Sequence, residues 1–278
     1  LLYLKEYKAL LNEIRSLKSN HIFFQIIIKK NKPVIIELNK ILEKIKTLKS
    51  STKTEFDLLN DIQWVIESEI FFKSKRIRNF LEKNKISFSQ KSVIFVRYFL
   101  YTIESINYLE SRGRDSFGIS INFISKNSIK IKKTNFINQK YFNFFQKKLS
   151  SGNYLINFTF KYAKRIGYSG ENTIKILSLI NSKKILKKVD FSCLESFDLI
   201  AHTRWASVGE VNISNTHPVI EKKSNIINLR FMNGDINNYI DLKKKLIRRK
   251  KFFFSDKKCT NDLQPLPSLI FENKYKIN

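Results

Sequence analysis

The spacing of the hydrophobic residues changes near Gly113, where the first alternating segment begins, and this change constrains the fold more than any other feature. Before it, apolar residues recur every three or four positions, as in amphipathic helices. After it, apolar and polar residues alternate, as in half-buried strands. The sequence therefore predicts a helical block up to about residue 112, followed by a mixed domain of strands and helices.

The helical block is predicted to contain long amphipathic helices over residues 32–48, 53–83 and 89–111. In the first of these, Pro33 occupies a first-turn position that tolerates it. The apolar stripe of this helix consists of Ile35, Leu38, Leu42 and Ile45. The third helix places Val96, Phe99, Ile103 and Ile106 on one face, and Gly113 is expected to end it.

Strands and short helices are predicted in the second part of the chain. "SFGISINFI" (116–124) and "NYLINFTF" (153–160) alternate as half-buried strands. "FDLIAHTRW" (197–205) reads as a buried strand that delivers polar side chains at its end, and residues 225–234 as a strand that closes on a turn. Helices are predicted over 170–186 and 235–250, the latter with Ile236 and Ile240 on its apolar side and a basic last turn.

A formal net charge of +28 raises the possibility of nucleic-acid binding. However, the lysines are scattered over every segment, and no stacking-aromatic motif accompanies them. We therefore interpret most of the charge as solvated surface, and nucleic acid is not an expected partner.

The two cysteines, Cys193 and Cys259, lie far apart and show no CxxC or Cys/His ligand spacing. The sequence therefore predicts neither a zinc site nor a disulfide framework, and no cofactor, which suits a reducing cytoplasm. The longest apolar runs carry charges and are shorter than the ~20 residues that a membrane span requires. The chain begins at Leu1, in what reads as the middle of a helix, and we expect it to be a fragment of a longer protein.

The segment "AHTRWASVGEVNISNTHPV" (201–219) concentrates rare residue types. Arg204, at the end of a strand, is either a bidentate receptor for a carboxylate or a structural ion pair. Trp205 is either a core residue or a gate. His202 and His217, taken alone, are more typical of hydrogen-bonded structural histidines than of acids or ligands.

Two further segments carry candidate site residues. Asn233 and Gly234 form either a simple turn or, if the turn faces a cleft, an oxyanion hole for acyl transfer. Asp262, in "CTNDLQPLP", is either a loop residue or a partner for a substrate ammonium group.

The order of these segments resembles the glutaminase domain of the glucosamine-6-phosphate synthase family. The blocks are "YLESRGRDSFGISI", "HTRWAS.G", "N.HP", "NG.I.NY..LK..L" and "T.D", which extend from Tyr108 to Asp262. The residues "HTRWAS" resemble this sugar-phosphate branch of the amidotransferases more than the purine-pathway amidotransferases or the glutamate synthases. The first 107 residues match by helical character only, not by motif.

The resemblance implies an α+β fold of the class II glutamine amidotransferases. This is the αββα sandwich of the N-terminal-nucleophile hydrolases, incomplete here at its N-terminus. Residues 1–107 would be an all-α insertion of several helices, and residues 108–278 the amidotransferase domain. The insertion would cover the site, form homodimer contacts or dock an absent C-terminal half; the sequence leaves these alternatives open.

The resemblance also implies roles for individual residues. Arg204 would bind the α-carboxylate of glutamine with help from Ser207, and Asp262 would hold the α-ammonium. Asn233 and Gly234 would stabilise the tetrahedral oxyanion. Trp205 would belong to the loop that shields ammonia, and His217 to a turn that supports the site.

Two departures from the family pattern limit this interpretation. The family's nucleophile is an N-terminal cysteine, and no cysteine precedes Cys193 here, so we expect the nucleophile upstream of this chain. Val208 stands where the family usually has histidine.

The sequence thus predicts the glutaminase half of an aminotransferase, inactive as a fragment. Ammonia would pass to a sugar phosphate, fructose 6-phosphate in the family, bound by an absent C-terminal domain. The alternatives are a catalytically inactive relative that binds glutamine as a sensor, and a basic nucleic-acid-binding helical protein.

Overall fold

Helices dominate the first part of the chain and strands the second in this computed structural model. It describes residues 2–48, 50, 52–131, 136–164, 168–223, 226–251, 256 and 258–274. They form two compact units, one of Leu1–Leu100 with Val189–Ser192 and one of Tyr101–Lys188 with Cys193–Asn278. The structure is therefore α+β, whereas the αββα sandwich and the division after residue 107 remain predictions.

The first unit is built of helices. They are α1 Leu2–Ser19, α2 His21–Ile28, α3 Lys32–Thr47, α4 Lys53–Trp64, a π-helix Val65–Phe72, α5 Lys73–Lys83 and α6 Gln90–Leu109, whose last residues belong to the second unit. The side chains of Asn20, Asn31 and Thr52 accept backbone N–H groups at the starts of α2, α3 and α4. These caps explain where the three helices begin.

The core of the first unit contains the predicted stripe of α3. Leu38, Leu42 and Ile45 are buried in one cluster with apolar residues of α1, α4 and the π-helix, and Ile35 packs against it. Glu69 is also buried and forms ion pairs with Lys18 and Lys73 at 3.1 and 2.7 Å. Burial alone would raise the pKa of Glu69, but the hydrogen bonds from Lys73 and Lys18 lower it.

The helix predicted over residues 53–83 is helical throughout but not uniform. Eight residues, Val65–Phe72, adopt the wider π-helical turn between α4 and α5. The segment contains no proline or glycine, so the chain stays helical through it.

The second unit is organised around a five-stranded antiparallel sheet in the order β2-β3-β4-β1-β5. Its strands are β1 Ser116–Ser125, β2 Phe136–Gln139, β3 Phe142–Lys148, β4 Tyr154–Ala163 and β5 Leu194–Arg204. A separate two-stranded sheet pairs β6 Val219–Lys223 with β7 Ile226–Arg230. In the described part of this unit, α7 Glu171–Lys183 is followed by a short 3₁₀ helix, Ile185–Lys188, and the later helices are α8 Tyr239–Arg248 and α9 Leu266–Lys274.

The half-buried character predicted for β1 and β4 is wrong, because both faces of the two strands are covered. The apolar face is buried as expected, with Ile121 and Phe158 opposite each other in the register. The polar face is buried too, and its side chains bond to one another: Asn157 Nδ2 donates to Ser120 Oγ at 2.7 Å, and Thr159 Oγ1 donates to Asn157 Oδ1 at 3.0 Å. The polar residues of the alternating pattern therefore form a buried hydrogen-bond network in β1 and β4, not a face exposed to solvent.

Three boundaries and environments also differ from the sequence prediction. β5 was expected to be buried, but it pairs only with β1 among the described strands, and its side chains alternate in exposure. α6 ends at Leu109, and Gly113 instead lies against Thr203 and Arg204. α8 begins at Tyr239, so Ile236 precedes the helix.

Among the described residues, no helix is long and apolar enough to cross a membrane.

Candidate functional site

Arg204 is the last residue of β5 and is 7% exposed. Its Nη1 donates to the carbonyl oxygen of Glu210 at 3.3 Å, and its Nη2 donates to the carbonyl oxygen of Val208. The Arg204 side chain thus holds the loop of residues 205–210 against the end of β5. Burial lowers the pKa of Arg204, while the carboxylates of Asp115 and Asp262 oppose this shift.

Asp115 fixes the same loop from the start of β1. Its Oδ2 accepts the backbone N–H of Ala206 at 2.7 Å, and its own N–H donates to the carbonyl oxygen of Arg204 at 3.1 Å. No role was predicted for Asp115 from the sequence, although it lies in the block "YLESRGRDSFGISI". Its place in a matching block was the only signal that could have identified it.

The Asn233–Gly234 turn follows β7 and is exposed. Gly234 has a φ of 129°, a conformation that favours glycine over any residue with a side chain. Next to it, Asp235 Oδ1 accepts a hydrogen bond from Ser207 Oγ at 2.6 Å. The loop after Arg204 and the Asn-Gly turn are therefore in direct contact.

Asp262 reaches this turn from the C-terminal segment. It is buried, and its Oδ2 accepts the backbone N–H of Ile236 at 2.6 Å. The structure thus brings together Arg204, Ser207, the Asn233–Gly234 turn and Asp262, which are far apart in sequence. A cation, a carboxylate and a glycine turn in one region can hold a zwitterionic ligand.

Asn215 joins the Arg204 loop to the segment that carries Asp262. Its Oδ1 accepts the N–H groups of Thr260 and Asn261 at 2.7 and 3.1 Å. Its Nδ2 donates to the carbonyl oxygen of Glu210 at 2.8 Å. This fully buried amide was also missed, although it is the asparagine of the "N.HP" block.

His217 lies inside the second unit, buried to 5% exposure, and its predicted supporting role remains a prediction. Its ring lies 4.4 Å from the ring of His202, and its Nδ1 accepts the N–H of Met232 at 3.3 Å. Burial, with the nearby His202, Arg204 and Lys161, lowers the pKa of His217 to about 3, so the ring is neutral. Its backbone packs so closely on Gly118 that a β-carbon there would collide with the His217 carbonyl.

Trp205 is 72% exposed, so it is not a core residue. It follows Arg204 directly, on the loop that Asp115 and Arg204 hold in place. Its position next to Arg204 is compatible with a gate, and that role remains a prediction.

Both cysteines, Cys193 and Cys259, are thiols that form no disulfide. Cys259 is 1% exposed, and burial raises the pKa of its thiol to about 11. Cys193 accepts a hydrogen bond from Asn127 Nδ2 at 3.1 Å. Within the described part of the chain, no group of three or more histidine, cysteine, aspartate or glutamate side chains could hold a metal ion.

Similarity to known proteins covers only part of the chain. No family model and no solved structure matches it. Glutamine–fructose-6-phosphate aminotransferase (isomerizing) of Pyrococcus horikoshii is 31% identical over 40% of the chain and 19% of its own length. The enzyme of the same name from Methanococcus maripaludis is 33% identical over 40% and 19%, and the second such enzyme of Mus musculus is 37% identical over 31% and 12%.

The matches thus span at most about a fifth of the length of these relatives. About 40% of this chain is therefore similar to glutamine–fructose-6-phosphate aminotransferases.

Proposed function

We propose that this chain supplies the glutamine-binding part of a glutaminase, the half of an aminotransferase that releases ammonia. The 2.6 Å hydrogen bond from the Ile236 N–H to Asp262 Oδ2 carries this proposal, because it joins the Asn-Gly turn to the acidic residue. The contact between Ser207 and Asp235 brings the Arg204 loop to the same turn. The similarity to glutamine–fructose-6-phosphate aminotransferases agrees with this assignment.

Glutamine is a zwitterion with a reactive amide at the far end of its side chain, and the site offers a complement to each part. Arg204 binds the α-carboxylate by exchanging its bonds to the carbonyls of Val208 and Glu210 for a bidentate ion pair. Asp262 binds the α-ammonium. The Asn233 side-chain amide and the Gly234 N–H then stabilise the oxyanion that forms on the side-chain carbonyl.

The reaction proceeds through a covalent thioester. A cysteine thiolate attacks the side-chain carbonyl, ammonia leaves as the tetrahedral intermediate collapses, and water hydrolyses the thioester to glutamate. Neither cysteine of this chain has that role, since Cys259 is buried with a raised pKa and Cys193 lies inside the chain without a free α-amine. The nucleophile therefore comes from outside these 278 residues. The ammonia passes to a sugar phosphate, fructose 6-phosphate by similarity, on a domain that is also outside them.

The test is glutamate release from glutamine by the full-length gene product, with and without fructose 6-phosphate. Asp262→Asn and Arg204→Lys are each expected to lower kcat/KM for glutamine by about 100-fold. The matched control is Arg248→Lys, which changes an exposed arginine of α8 and should leave kcat/KM unchanged. Unaltered glutamine use by Asp262→Asn would refute the assigned role.

Calorimetry with the 278-residue chain separates glutamine binding from catalysis. We expect the chain to bind glutamine without turning it over. If it binds glutamine but the full-length protein releases no glutamate, the inactive glutamine-binding relative is the correct alternative. If neither glutamine binding nor glutamate release is observed, the proposed function is wrong.

A further inference from the structure

One face of the β6–β7 hairpin carries side chains that the glutaminase proposal does not use, among them Val219, Glu221, Asn228 and Arg230. In the antiparallel register, Val219 stands opposite Arg230 and Glu221 stands opposite Asn228. Directly opposite residues point to the same side of a sheet, as do residues two apart on one strand. Val219 packs against buried Cys259 and Leu263, so this face of the hairpin is turned to the interior.

Two of these side chains carry buried nitrogen donors that have no hydrogen-bond acceptor among the described residues. Arg230 is 7% exposed, and its Nε, Nη1 and Nη2 have no hydrogen-bond partner among the residues that the structure describes. The same holds for Nδ2 of Asn228, two residues earlier on the same face. A buried, unpaired donor costs about 1–3 kcal/mol, and more when it is charged, so four such nitrogens together indicate an acceptor that binds there.

The positive charge of Arg230 favours an anionic acceptor. Glu221 is fully buried on this face, but no nitrogen of Arg230 hydrogen-bonds to it. Burial lowers the pKa of Arg230 to about 10, and Glu221 opposes this, so the guanidinium is charged at neutral pH. Cys259 interacts electrostatically with Arg230 and also with Lys161, a second buried cation.

The sheet register connects Lys161 to the hairpin. Lys161 lies on β4 opposite Gly118, and His217 and Pro218 pack against Gly118. The next residue, Val219, packs against Cys259. Lys161 and Arg230 are therefore two buried cations that both interact electrostatically with Cys259.

We propose that Arg230 and Asn228 form a binding site for a small oxyanion, a carboxylate or a phosphate group. The planar guanidinium donates two parallel hydrogen bonds to such a group, and the Asn228 amide adds a third. The site uses neither Arg204 nor Asp262, so it does not depend on the proposed glutaminase function.

Thermal unfolding of the 278-residue chain tests the proposal. The chain is titrated at pH 7.5 in Tris with sodium acetate, sodium phosphate or sodium chloride, at equal ionic strength. We expect acetate or phosphate to raise the melting temperature by about 2–4 °C more than chloride does, because a ligand that binds only the native state stabilises it. An effect of acetate alone identifies a carboxylate site, and an effect of phosphate alone a phosphate site. If neither anion exceeds chloride, the proposal is overturned.

Two variants assign the effect to the hairpin. Arg230→Met keeps the length of the side chain and should abolish the specific shift, whereas Arg248→Met removes an exposed charge from α8 and should keep it. A specific shift that survives in Arg230→Met would place the anion elsewhere and contradict the proposal.

Discussion

Cys259 is a thiol that its surroundings make unreactive. It is 1% exposed, and burial raises its pKa to about 11. At pH 8 only about one such thiol in a thousand is ionised, and the thiolate is the reactive form. We expect native Cys259 to react with iodoacetamide at least tenfold more slowly than the half-buried Cys193, as measured by mass spectrometry of the labelled peptides. Equal labelling of the two cysteines in the native protein would contradict the burial of Cys259; equal labelling in urea is the control.

His217 makes the stability of the second unit depend on pH. Its pKa is about 6.5 in the unfolded chain and about 3 in the folded one. As the pH falls below 6.5, the unfolded chain binds a proton that the folded chain excludes, so stability is complete above pH 6.5 and declines toward pH 3. The share of His217 in this loss is roughly 1–2 kcal/mol between pH 6.5 and pH 5.

The variant His217→Gln keeps an acceptor for the Met232 N–H but cannot be protonated in this range. Urea unfolding at pH 6.5, 5.7 and 5.0 should therefore show a shallower decline in the free energy of unfolding than the unchanged chain shows. His202 and His21, whose pKa values burial also lowers, contribute to the decline that remains. Identical pH dependence in both proteins would mean that His217 is protonated in the native state.

At the scale of elements, Glu110 caps α7 across sixty residues of sequence. Its Oε2 accepts the N–H of Gly170 at 2.6 Å, and its Oε1 accepts the N–H of Thr173 at 2.8 Å and the Thr173 hydroxyl. A carboxylate at a helix N-terminus also complements the helix dipole.

We expect Glu110→Gln to lower the free energy of unfolding by roughly 1–3 kcal/mol in urea, because it leaves buried donors poorly paired. Glu195→Gln is the matched control. It removes a carboxylate that forms a partly exposed ion pair with Lys126 at 3.3 Å, and exposed pairs contribute about 0–1 kcal/mol. Equal losses in the two variants would rule out the capping role.

The elements that the sequence predicted well are those whose apolar spacing is set by burial on one side. The stripe of Leu38, Leu42 and Ile45 is such a case, and α3 lies where it was expected. The π-helix Val65–Phe72 could not be predicted, because its residues have ordinary helical propensity and nothing in their spacing encodes a wider turn. The exposure of β5 was missed because an apolar run looks the same on a central strand and on a strand paired on one side.

At the scale of the whole molecule, the charge of +28 predicts weak and non-specific attraction to nucleic acid. We expect filter retention of DNA or RNA at 50 mM NaCl to fall by at least tenfold at 200 mM, since such binding rests on phosphate contacts that salt displaces. Retention of one particular sequence at 200 mM NaCl would instead favour a nucleic-acid-binding protein.

The candidate site was predictable as an ordered set of residues but not as a set of contacts. The motif order singled out Arg204, Asn233, Gly234 and Asp262, and the structure brings these segments together. It gave no role to Asp115 or Asn215, whose hydrogen bonds join segments far apart in sequence. Such bonds follow no periodicity, so only the folded chain reveals them. The chemical roles of the site residues remain predictions.

Gly118 leaves no room for a β-carbon beneath the carbonyl of His217. Substitutions at the two positions are therefore coupled. Replacement of Gly118 requires that the segment around residue 217 changes beforehand or at the same time. That segment begins the hairpin and adjoins the Arg204 loop. The constraint on residue 118 therefore comes from a backbone segment that is distant in sequence.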